Sequence, residues 1–119
     1  MKSHKDLDVW KRSVELVTFI YEVTKTFPKE EIYGITNQIR RAAVSIPSNI
    51  AEGAARNHSK EFIQFLYISL GSISELETQV IISLNLGFLI QDDSIKIQNE
   101  LTELRRMILG LIRSLKNKT

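Results

Sequence analysis

His4 and His58 are the two histidines of the chain, and neither has the Glu-x-x-His or His-x-x-x-His partner of a helical metal site. The adjacent carboxylates Glu30-Glu31 and Asp92-Asp93 sit where helices begin, and acids are expected there to offset the helix dipole. Ser45, Ser48 and Ser72 lack a histidine at helical spacing to serve as their base. Without cysteine there is no thiol nucleophile, thiolate metal site or disulfide. The five glycines are dispersed, so no phosphate-cradling loop is present. The expectation is a protein that is not an enzyme and needs no cofactor or metal.

Charge offers a different chemistry. The net charge is only +2, yet from Arg105 onward there are five bases, Arg105, Arg106, Arg113, Lys116 and Lys118, and no acid. Basic residues at a helix C-terminus also offset the macrodipole, which is the plainer reading. The sharper one is a phosphate-facing patch formed when copies of this tail converge, joined by Arg56 or Lys60 from neighbouring elements. Tyr33 and Tyr67 are the aromatics left free to stack on bases, since Trp10 and Tyr21 fall on an apolar stripe.

These groups must be positioned by helices. Leu7, Trp10, Val14, Val17 and Tyr21 recur at spacings of three and four, and Phe27-Pro28 ends that run. Ile32, Ile35, Ile39, Ala43, Ile46 and Ile50 form a second run, closed by Gly53 and the polar residues 56–59. Ser59 is the expected N-cap of a third helix lined by Phe62, Phe65, Leu66, Ser69, Ile73, Leu76, Val80 and Leu84 and stopped by Gly87. Asp92 or Asp93 is expected to cap a fourth, lined by Ile97, Leu101, Leu104, Ile108, Leu111 and Leu115. Helices over about 6–26, 30–55, 59–86 and 92–116 joined by short loops give an all-α, up-down-up-down antiparallel four-helix bundle, one domain over 1–119.

Pro47 lies inside the second run, where a proline costs roughly 3 kcal/mol and frees a carbonyl one turn upstream. If the turn after this helix centres near Arg56, antiparallel pairing sets Arg41 near Gly71 and Gln38 near Glu75. Arg40 or Arg41 is then expected to meet Glu75 or Glu77, with Ser45 and Asn49 in hydrogen bonds nearby. Gly71 is expected to admit a close neighbour. The third helix also carries Ile63, Tyr67, Ile68, Leu70, Ile81 and Ile82 off its core stripe, more apolar surface than one bundle covers, which suggests a second subunit.

The segment Gln38-Ile39-Arg40-Arg41-Ala42, with Ser45-Ile46-Pro47-Ser48-Asn49-Ile50-Ala51-Glu52-Gly53, resembles the signature of a bacterial "four helix bundle protein" family. Its members include proteins encoded in intervening sequences of large-subunit rRNA genes. Leu7-Asp8-Val9-Trp10, residues 27–34 and Gly71-Ser72-Ile73-Ser74-Glu75-Leu76-Glu77 extend the likeness over about residues 6–90. The chain is also similar to the accessory variability determinants of diversity-generating retroelements, whose pentamers bind nucleic acid and a reverse transcriptase through a basic surface. The resemblance implies a ring-shaped homopentamer, with Arg40, Arg41, Ser45, Pro47, Asn49, Glu52, Gly53, Gly71 and Glu75 as structural or interface residues. It implies RNA, or a co-encoded protein, as partner. A ring that docks another protein without touching RNA is the alternative. No apolar run reaches the ~20 residues of a membrane span, and a cytoplasmic location is expected.

Overall fold

The computed structural model describes residues 3–118; Met1, Lys2 and Thr119 of the expected 1–119 domain lie outside the described residues. Four helices carry the fold: α1 (Asp8–Thr24), α2 (Ile35–Ala55), α3 (Ser59–Asn85) and α4 (Gln91–Asn117). Single 3₁₀ turns at His4–Asp6 and Lys29–Glu31 precede α1 and α2. No strand occurs among the described residues. Neighbours around the bundle are α1–α2, α2–α3, α3–α4 and α4–α1, while the diagonal pairs stay apart. That is an up-down-up-down bundle, drawn out to 47 × 23 × 20 Å by its two longest helices.

The core stripes of α2, α3 and α4 follow the apolar periodicity closely. Ile39, Ala43, Ile46 and Ile50 of α2 meet Phe62, Leu66, Ile73, Leu76 and Val80 of α3. Ile97, Leu101, Leu104 and Ile108 close the core from α4. Burial of each such side chain contributes about 1.5–3 kcal/mol. Near its end α4 buries Ile112 fully and Leu111 only in part.

The stripe of α1 differs from the one its spacing suggests. Val9, Ser13, Leu16, Ile20 and Thr24 face the core. Leu7, Trp10 and Val17 only flank it, and Val14 and Tyr21 are exposed. Two of the five inward residues are polar, which hid the true face. Their hydroxyls are satisfied within the helix, Ser13 donating to the Trp10 carbonyl at 2.8 Å and Thr24 to the Ile20 carbonyl at 2.7 Å. A helix-internal bond of this kind makes a buried hydroxyl inexpensive.

The ends of the helices separate capping from dipole effects. Gly87 adopts φ +79°, with its N–H on the Leu84 carbonyl and the Phe88 N–H on the Ser83 carbonyl, both at 3.0 Å. This is the left-handed C-terminal stop expected of a glycine there. The N-cap of α3 is His58 rather than Ser59, and that of α4 is Ile90 rather than Asp92 or Asp93. Neither cap makes a side-chain bond; Asp92 and Asp93 lie in the first turn of α4, where they act on the dipole alone. α2 begins at Ile35, later than expected, which leaves Ile32 exposed in the preceding turn.

Helices α2 and α3 share the closest contact. A Cβ placed on Gly53 would lie 2.8 Å from Phe65 Cβ and 2.9 Å from Phe62 Cδ1. Gly53 is therefore where the two backbones approach. Gly71 is the opposite case, with nothing within 4 Å of its virtual Cβ, so no part of the subunit needs a glycine there.

Candidate nucleic-acid interface

The basic tail of α4 divides into two halves. Arg105 is bound to Glu77 of α3 through two bonds of 2.8 and 2.7 Å, and Arg106 to Glu103 of its own helix at 3.0 Å through Nε. Arg105 ties α4 to α3, Arg106 pairs within α4, and both are matched by a carboxylate and offer little free charge to a ligand. Arg12 of α1 does likewise with Glu100, at 2.8 and 2.9 Å. The hydrogen bonds from Arg105 hold the Glu77 carboxyl below its usual range, partly opposed by burial.

That shift has a testable sign. A depressed carboxylate stabilises the fold above its unfolded pKa, and the contribution is lost as pH falls through the lower folded value. Glu77→Gln should lower stability near neutrality by about 0.5–1 kcal/mol. Its melting temperature should converge with that of the wild type in acid. Parallel melting curves across the acid range would show that the pair carries no such coupling.

The remaining bases gather at one end. Gln98 donates to the Glu77 carbonyl at 3.2 Å, Arg105 grips the Glu77 carboxylate, and Lys116 Nζ lies 3.5 Å from the Tyr67 hydroxyl. This register runs α4 antiparallel to α3, so the end of α4 lies beside the start of α3. Arg113, Lys116 and Lys118 thus share an end with Lys60 and with Arg56, which closes α2. Lys60, Arg113 and Lys118 are exposed and have no carboxylate within 4 Å among the described residues. Arg56 pairs with Glu52 at 3.2 Å and lies over the Phe65 ring, 5.1 Å from its centroid.

The α2 signature forms a polar seam against α3. Asn49 Nδ2 donates to the Ser45 carbonyl and to Ser45 Oγ, each at 2.9 Å, and the Ser72 hydroxyl donates to Ser45 Oγ at 2.8 Å. One turn on, the buried Ser69 hydroxyl donates to the Ile46 carbonyl at 3.0 Å, beside the buried Pro47. Removing the Asn49 amide should cost about 1 kcal/mol, read as a lower denaturation midpoint for Asn49→Ala with unchanged slope. An unaltered midpoint would leave the seam without a stabilising role.

The arginine–glutamate pairing expected across these helices is replaced by other contacts. Arg40 turns towards α1, donating Nε–H to Thr24 Oγ1 at 2.9 Å and lying 4.6 Å from the Tyr21 ring centroid. Arg41 has no carboxylate within 4 Å among the described residues. Glu77 is taken by Arg105, and Glu75 is exposed, accepting one long bond of 3.5 Å from Gln79. The reason is register: Glu77 faces α4 rather than α2. Sequence spacing on one helix cannot reveal which neighbour a carboxylate will face.

Among the described residues no group of three or more His, Cys, Asp or Glu side chains could hold a metal ion. His4 is instead set edge-on against Trp10, with ring centroids 5.0 Å apart. Among the described residues no helix is long and apolar enough to cross a membrane.

With this geometry in place, residues 5–110 match the family described as 23S rRNA-intervening sequence protein. The chain belongs to that family. A solved structure from Bacteroides thetaiotaomicron, described as a protein with unknown function from the S23 ribosomal protein family, superposes at a TM-score of 0.81. It is 24% identical in sequence, and the match covers 87% of this chain and 97% of that one, a likeness of fold. No curated protein matches significantly. For this member of the 23S rRNA-intervening sequence family, the four-helix architecture agrees with the earlier resemblance.

Proposed function

We propose that this protein is a non-catalytic homo-oligomer, a pentamer as the family resemblance implies, that associates with RNA through the basic ends of its subunits. The observation that carries the reading is the gathering of Lys60, Arg113 and Lys118 at one end of the bundle without carboxylate partners. One subunit with a net charge of +2 is a weak ligand for a polyanion, and assembly multiplies both charge and contacts. Self-association is supported by the exposed apolar residues of α3 and by the open Gly71 beside them. The family, that of 23S rRNA-intervening sequence proteins, makes ribosomal RNA the first candidate.

Phe65 and Tyr67 at this end carry Arg56 and Lys116 over their rings, so the contacts fall mainly on phosphates and carry little sequence preference. Affinity for structured RNA should drop by about 0.7–0.9 log units per log unit of salt for each phosphate neutralised. The test is a titration at two salt concentrations with the wild type and a Lys60→Ala, Arg113→Ala, Lys118→Ala triple variant. The variant should bind more weakly and with a shallower salt slope. An identical slope would move the interface elsewhere, and no binding at low salt would end the RNA reading.

A further inference from the structure

At the end of the bundle opposite the basic tail, α1, α2 and the turn before α2 enclose an open groove of about 640 Å³. Tyr21, Tyr33, Asn37, Arg40, Arg41 and Ser45 supply its polar and aromatic lining, and no acid lines it. Tyr33 is 92% exposed in the turn leading into α2, a large ring that the fold does not use. Arg41 is exposed and carries no ion pair among the described residues. Arg40 donates its Nε–H to Thr24 and holds its guanidinium carbon 4.6 Å from the Tyr21 ring centroid, and its terminal N–H groups make no hydrogen bond or ion pair among the described residues. Two carboxylates border this region: Glu31 accepts from the Ile35 N–H at 3.3 Å, and Glu75 lines the adjoining groove, which shares Asn37, Arg41 and Ser45 with this one, without an ion pair to Arg41.

We infer that this groove binds an unstacked nucleotide, its base against Tyr33 and its phosphate on Arg41 and Arg40, with Asn37 available to a base edge. The chemistry is complementary on each count. A free aromatic face takes a base of any sequence, and a fork of guanidinium donors matches phosphate oxygens. At the basic end the rings of Phe65 and Tyr67 already lie under Arg56 and Lys116, whereas in this groove Tyr33 is open and carries no cation among the described residues. The inference rests on the RNA reading and adds a second contact that prefers single strands to duplex, because only an unstacked base can reach Tyr33. A free nucleotide presents the same ring and phosphate, and it is the other source of such a ligand.

The test measures binding of labelled oligoadenylate, an RNA duplex and AMP to the wild type, Tyr33→Ala, Tyr33→Phe and Arg41→Ala, with mass by light scattering for each protein. Tyr33 and Arg41 are exposed, so the variants should fold normally. Tyr33→Ala and Arg41→Ala should each weaken oligoadenylate binding about tenfold or more, Tyr33→Phe should retain it, and the duplex should be indifferent to Tyr33. AMP binding lost in the same two variants would also uphold the groove, and its strength relative to oligoadenylate identifies the source. Oligoadenylate and AMP binding that ignores both variants overturns the groove, and the RNA reading survives if the Lys60, Arg113 and Lys118 changes still weaken RNA binding. A fall in oligomeric mass alongside lost binding would make the groove a subunit contact and overturn it too. If no RNA binds at all while AMP does so through Tyr33, the RNA reading fails and the groove stands as a nucleotide site.

Discussion

Gly53→Ala is expected to destabilise the bundle by about 2 kcal/mol, although alanine is the better helix former by about 1 kcal/mol. The added methyl would sit 2.8 Å from Phe65 Cβ and 3.2 Å from the Phe62 carbonyl oxygen, as well as against the Phe62 ring. Ring atoms can rotate away, but a Cβ and a carbonyl are fixed to the α3 backbone. Relief therefore requires α2 and α3 to separate where Ile50, Phe62 and Leu66 are buried. The melting temperature should fall by roughly 10 °C for a domain of this size. Gly71→Ala makes the comparison sharp, because nothing in the subunit lies within 4 Å of the new methyl. Within one subunit that change should stabilise by up to about 1 kcal/mol. An equal loss at both positions would mean that a second subunit presses on Gly71, and no loss at Gly53 would refute the close crossing.

Ile68→Glu combined with Ile82→Glu is expected to break the assembly while leaving each subunit folded. Ile68, Gly71, Glu75, Ile82 and Leu86 follow one another at helical spacings and form a stripe on the outer side of α3. Ile68 is 50% exposed, Ile82 42% and Leu86 57%, although the opposite face of the same helix is fully buried. Burying two carboxylates in a dry interface costs several kcal/mol, more than a contact between small subunits can absorb. Light scattering should give a single species at the 13.7 kDa of one chain, with helical circular dichroism unchanged. A variant that keeps the wild-type mass would remove this stripe from the interface.

Helix number, order and connection were readable because each apolar stripe is long and ends in a proline, a glycine or an acid. The Gly87 stop could be placed from the residue alone, since few other side chains tolerate its φ of +79°. The inward face of α1 could not, because Ser13 and Thr24 look polar in sequence yet satisfy themselves on their own helix. The fate of Arg105 was equally hidden: its partner Glu77 lies on another helix, and only the α3–α4 register brings the two together. Arg40 or Arg41 read as the partner of Glu75 or Glu77, whereas Arg40 lies over the Tyr21 ring and Arg41 stays open to solvent. Pairing between helices depends on rotation and axial offset, which single-helix periodicity leaves undetermined.

Assembly and RNA association are read together by one measurement: light scattering of the protein mixed with a structured rRNA fragment during size-exclusion chromatography, run at low and at high salt. The expected result at low salt is one peak whose mass is an oligomer of the 13.7 kDa chain plus RNA. At high salt that peak should resolve into free RNA and an intact protein oligomer, because screening weakens the phosphate contacts but not the apolar ones. A protein that elutes as a 13.7 kDa monomer apart from the RNA at low salt would contradict the account.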